Sequence, residues 1–144
     1  MVKEGKVEMK ISRMEEGWVE AIMSALIPPG GDDRYPLSAL DTGAVEIYRE
    51  MLLYLPRLTG LGLRAAVVMI EFWGPWLGLG KVSRFSRLGP EEKEECLVRL
   101  SQKDAWLVRQ LVLLLKSVAC LAWCGDQRVR AALGHELPPR FVTR

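Results

Sequence analysis

Cys120 and Cys124 stand four residues apart in an apolar run, a spacing that puts both thiols on one face of a helix and could bring two thiolates to one metal ion. A zinc site needs four ligands, or three and a water, and the remaining soft donors are Cys96 and the single histidine, His135. Small buried cysteines in apolar helices are the commoner use of the residue, so no metal ligand is assigned. Gly60-Leu61-Gly62-Leu63-Arg64-Ala65 fits the letters of a dinucleotide fingerprint, whose glycines must follow a strand and open a βαβ helix. Here the preceding run is helical and ends at Pro56, so an interhelix turn is the expected role. Gly80-Lys81 imitates a phosphate loop, but five residues separate Gly74 from Gly80 and Val82 stands where a magnesium-binding Ser or Thr belongs. His135 lies in a Gly-flanked C-terminal stretch with no assignable Ser/Asp or Cys/Asn partner, so no catalytic set emerges.

Three other groups invite attention. Glu71 lies in an apolar helix, where a carboxylate needs a counter-charge; Arg64 one heptad earlier, or a partner protein, is the expected one. Glu91, Glu92, Glu94 and Glu95 read as a solvated helix face, with Glu95 and Arg99 at pairing distance. Five tryptophans, Trp18, Trp73, Trp76, Trp106 and Trp123, are many for a chain of 144 residues. Tryptophan is enriched at interface hot spots, and it also fills cores with its N–H on a carbonyl.

The elements that must position these residues are all helical. Over 11–27, Met14, Trp18, Ala21, Ile22, Ala25 and Leu26 share a face, opposite Glu15, Glu16 and Glu20. Pro28 and Pro29 end that helix, and the Pro/Gly/Asp run to Pro36 is a loop crossing one end of the bundle. Asp41 is placed to cap a second helix running to about Leu55. A third is expected over 63–77, kinked or stopped at Gly74-Pro75 between Trp73 and Trp76. Pro90, with Glu91 and Glu92 behind it, opens a fourth whose inner face is Cys96, Leu97 and Leu100. The run 104–124, capped by Asp104 and stopped by Gly125, is the most apolar helix and is expected to be buried on several sides. A short helix follows over 126–133.

No segment alternates with period two, so the expected class is all-α, a single-domain bundle of about five to six helices around the central apolar helix at about 104–124. Residues 1–10 read as a mobile lead-in, 11–134 as the helical domain and 135–144 as a basic tail. Apolar residues make up 49% and charged residues 26%, which excludes a largely disordered chain. A net charge of +2 without a basic, aromatic-interleaved cluster gives no nucleic-acid footprint. Segments 58–79 and 104–124 are as long as a bilayer span, but Arg64 and Glu71 interrupt the first, and Arg109, Gln110 and Lys116 stripe the second. Three unevenly spaced cysteines suit a reducing compartment.

The order of motifs resembles a known helical module. Leu26-Ile27-Pro28-Pro29-Gly30-Gly31 is similar to its "LIPPGG" stretch, Phe85-Ser86-Arg87-Leu88 with Pro90-Glu91-Glu92 to its "FSRLSPEE", and Trp123-Cys124-Gly125-Asp126-Gln127-Arg128-Val129 to its "YYSDPRVW" ending. That module is the small subunit of gluconate 2-dehydrogenase-like flavoprotein dehydrogenases and the N-terminal helical region of long-chain alcohol oxidases of the glucose-methanol-choline (GMC) oxidoreductase family. Gly89 replaces the usual Ser, Gln127 replaces Pro, and the aromatic pair is reduced to Trp123 with Cys124.

The resemblance implies a noncatalytic accessory subunit that stabilises or helps mature a separate GMC-type flavoprotein chain. FAD and the oxidised alcohol or sugar would belong to that chain. Exported small subunits carry a twin-arginine signal, which does not occur in MVKEGKVEMK, so the expected location is cytoplasmic. The expected partner contacts are Trp73, Trp76, Phe85, Arg87, Leu88, Trp106 and Trp123. The alternative is a membrane-surface or lipid-handling module, with Trp73, Trp76, Lys81, Arg84 and Arg87 as an interfacial anchor.

Overall fold

A computed structural model describes residues 10–30 and 37–132. They form six α-helices, with no strand among them: α1 (Arg13–Leu26), α2 (Ala44–Tyr54), α3 (Arg57–Leu79), α4 (Pro90–Ser101), α5 (Trp106–Gly125) and α6 (Gln127–Ala132). A 3₁₀ turn, Phe85–Arg87, sits between α3 and α4. The chain is all-α, as its periodicity implies. The segments 1–9, 31–36 and 133–144, with His135, most of the lead-in, the basic tail and part of the expected crossing loop, lie outside the described residues.

The longest element is α3, and it shows why the turn expected at Gly60–Gly62 does not form. Leu55 closes α2 and Pro56 is the N-cap of α3, and the helix then runs through Gly60, Gly62 and Gly74-Pro75 to Leu79 without interruption. Glycine disfavours a helix interior by ~1 kcal/mol, too little to oppose nine buried positions along one helix. Two of its glycines admit α4: a Cβ on Gly74 would lie 3.4 Å from Leu100, and one on Gly78 would lie 3.1 Å from the carbonyl oxygen and sulfur of Cys96. Gly80, at φ 69°, closes the helix by donating its N–H to the Trp76 carbonyl.

Around α3 stand α1, α2, α4 and α5, each in contact with it. In α4 Pro90 occupies the first turn, and Cys96, Leu97 and Leu100 face inward, as their spacing predicts. In α5 a single stripe, Val112, Leu115, Val118, Ala119 and Ala122, is buried. Burial on several sides is therefore not what the fold gives this helix: Leu107 is 62% exposed, Leu113 53% and Leu121 57%. Among the described residues α5 is the helix long and apolar enough to cross a membrane.

Two expected caps differ. The Asp41 carboxylate turns back to accept from the Ser38 N–H and hydroxyl, both at 2.9 Å, and these bonds hold its pKa below the usual range. The N-cap position of α2 belongs to Gly43, whose φ of 78° only glycine adopts readily. Ala105, not Asp104, precedes α5, without a side-chain cap. At the far end, Asp126 receives the Arg128 backbone N–H at 2.8 Å as α6 begins, and Arg128 holds its pKa below the usual range.

Candidate docking surface

The outward side of α3 is set by where its charged residues go. α3 holds three of them, Arg57, Arg64 and Glu71. Arg64 reaches Glu15 of α1 with two bonds, at 2.6 and 2.9 Å, and the fully buried Tyr48 hydroxyl lies 3.4 Å from the same carboxylate. This arrangement corrects the expected polar face of α1. Glu15 is 6% exposed, while Met14, expected inside, is 63% exposed, because the guanidinium draws the carboxylate inward. Burial and the Glu15 charge push the Tyr48 phenol well above its usual range, and the bond to Glu15 raises Arg64.

Glu71 has no solvent exposure and does not pair with Arg64. It accepts the Ser86 hydroxyl at 2.6 Å and the Ser86 backbone N–H at 3.1 Å. The carboxylate is thus a strut under the 3₁₀ turn. Glu95 and Arg99 do pair, at i,i+4 on α4.

With those charges turned away, the outer face of α3 is Leu58, Leu61, Ala65, Val68, Phe72 and Trp76. At 100° per residue these six fall within an arc of about 80°, over about 27 Å of helix. Leu58 is 83% exposed, Leu61 56% and Trp76 60%. No charged residue of α3 falls within the arc. Single exposed apolar residues are ordinary, but a continuous exposed row marks a contact surface.

The row ends in a groove of about 470 Å³ lined by Phe72, Trp73, Trp76, Val82, Ser83, Arg84 and Arg87. Trp18 meets Phe72 edge to face, ring centroids 5.3 Å apart, and the Arg84 guanidinium lies 5.1 Å from the same ring. Lys81 is tied to Glu92 at 2.9 Å. Neither Arg84 nor Arg87 has a carboxylate partner among the described residues.

The structure brings Trp73, Trp76 and Arg87 together at this groove. Phe85 and Leu88 are buried and anchor the turn from beneath. Trp106 is 65% exposed at the start of α5, and Trp123 donates its Nε1–H to the Leu37 carbonyl at 3.0 Å; neither lines the groove. Phe72, Val82, Ser83 and the row from Leu58 to Val68 escaped the sequence reading. A helix read straight through Gly60 and Gly62 exposes the three- and four-residue spacing of the row and of Phe72, whereas Val82 and Ser83 follow the helix and carry no such signal. Among the described residues no three His, Cys, Asp or Glu side chains converge as a metal site.

No protein-family model matches the chain, and no match is found among the curated proteins or the solved structures.

Proposed function

We propose that this chain is a noncatalytic accessory subunit that docks on a larger chain and stabilises it or helps it mature. The single observation supporting the docking role is the charge-free outer row of α3, continued by the groove at its end. The class of partner, an FAD-containing GMC-type alcohol or sugar oxidoreductase, is supported by the three motifs. One of the three has a visible packing role. In Phe85-Ser86-Arg87-Leu88, the first and last residues anchor, Ser86 binds Glu71, and Arg87 faces outward. Three free cysteines, Cys96 among them buried, suit action in the reducing cytoplasm. Native purification of the chain with its partner tests this reading. Flavin absorbance travelling with a GMC-type chain supports it, and a colourless protein running alone refutes it.

A membrane-surface role is the second reading, supported by Trp73 and Trp76 beside Lys81, Arg84 and Arg87. Liposome flotation of the isolated chain, lost on Trp73→Ala with Trp76→Ala, would favour it.

A further inference from the structure

Resting on the docking reading, we infer that the outer row of α3 receives an amphipathic helix of the partner chain, with an acidic side chain at the end that meets Arg84 and Arg87. A row repeating at three and four residues over about 27 Å matches a helix of about 18 residues laid along it, at the 1.5 Å rise per residue. The surface also has a low middle: Ala65 lies in the row and Gly62 beside it. An added Cβ on Gly62 would meet nothing within 4 Å, so no packing among the described residues requires that glycine. Ridges of a second helix settle over such a depression.

Charge selects the occupant. Arg57 marks one end of the row and Arg84 with Arg87 the other, none with a carboxylate partner among the described residues. A second copy laid antiparallel sets Arg57 against Arg84 and Arg87, and a parallel copy sets the two arginine pairs against each other. Both arrangements place cation against cation, which costs affinity. A carboxylate meets these guanidiniums as a forked acceptor. The groove offers a recess at the end of the row for an apolar side chain of the same helix.

The test uses the full chain bearing a photo-crosslinking benzoylphenylalanine at Leu61, Val68 or Arg87, in complex with the chain that co-purifies with it. All three positions should label one partner segment, apolar at i, i+3, i+4 and i+7, with Asp or Glu nearest the Arg87 attachment. Arg84→Glu with Arg87→Glu should then weaken the complex by about tenfold or more, and changing the partner's acidic residue to Arg should restore most of that loss. Leu61→Asp, at an exposed position, should weaken it independently. Labelling of a second copy, of lipid, of a segment without an acidic residue, or of nothing overturns the inference. So does unchanged affinity in the charge-reversed variant. A flavoprotein complex labelled from other faces overturns this inference alone. An acidic amphipathic helix on a chain without flavin retains it and overturns the flavoprotein reading.

Discussion

Replacing Ser86 with Ala removes the shorter of the two bonds to Glu71 while leaving the backbone N–H in place. The lost interaction is a 2.6 Å hydroxyl-to-carboxylate bond, and its acceptor has no solvent exposure. Bonds to charged groups contribute ~1.5–3 kcal/mol, and water does not easily replace this one. A loss of about 2 kcal/mol should lower Tm by about 6–8 °C in a chain of this size, since each kcal/mol moves Tm by about 3–4 °C. Ser86→Thr, which keeps a hydroxyl, should recover most of the loss. Glu71→Leu should cost a similar amount by orphaning both Ser86 donors, and the double variant Glu71→Leu/Ser86→Ala should cost less than the sum of the two. Urea unfolding followed by far-UV circular dichroism measures all four. Ser86→Ala within ~0.5 kcal/mol of the parent, the ordinary spread for surface changes, would refute the strut. Ser86→Ala and Glu71→Leu should also weaken partner binding through Arg87, because the turn that carries it is no longer pinned.

Other perturbations test the packing. Arg64→Met leaves the Glu15 carboxylate buried with the Tyr48 hydroxyl at 3.4 Å as its remaining bond among the described residues, and should destabilise by about 2–3 kcal/mol, the partly exposed guanidinium discounting the ~3–5 of a buried pair. Adding Glu15→Gln should return part of that loss in the same urea experiment. Gly62→Ala should raise stability by about 0.5–1 kcal/mol, whereas Gly78→Ala should lower it, because its Cβ arrives 3.1 Å from the Cys96 carbonyl; paired thermal melts should show opposite signs. Iodoacetamide at pH 8, read by peptide mass spectrometry, should label exposed Cys120 and Cys124 and spare Cys96, whose thiol burial pushes up to about 11. Because the folded value is the higher one, Cys96 contributes its stability in full below the ordinary thiol range and loses it as pH rises through about 11.

What was legible in the chain was whatever depended on local pattern. Pro90 with its two glutamates gave the start of α4, and Gly125 stands at the end of α5 as expected. What was not legible depended on partners distant in sequence. Glu15 and Arg64 are 49 residues apart; Ser12, three residues before Glu15, marks it as a first-turn position of α1 but carries no sign that its carboxylate, unlike those of Glu16 and Glu20, turns inward. Arg64 and Glu71 sit a heptad apart, which suggested a pair, yet each is taken by a different element. Gly60 and Gly62 carry a turn signal in isolation. Tertiary burial along the rest of α3 overrides it, and only with the helix unbroken does the outer row come into register. Phe72 is illegible for the same reason: its place in the row depends on residues on the far side of those glycines.

Magnitudes show why the arginines should matter as much as the row. Fully burying a large apolar side chain is worth ~1.5–3 kcal/mol, and Leu61, Val68, Phe72 and Trp76 are each only about half exposed to begin with. Together with Leu58 they supply about 4–8 kcal/mol when covered. Association costs an estimated ~4–15 kcal/mol in lost freedom, so the row by itself yields at best a weak complex. A lasting subunit contact therefore needs the groove filled and the guanidiniums paired. Two close charge pairs can contribute ~1.5 kcal/mol or more each, and their attraction accelerates encounter. The docking reading consequently requires an association rate that falls as salt rises, with the slope flattened by Arg84→Ala and Arg87→Ala; a salt-independent rate would mean that the apolar row is covered by something that ignores its charged ends.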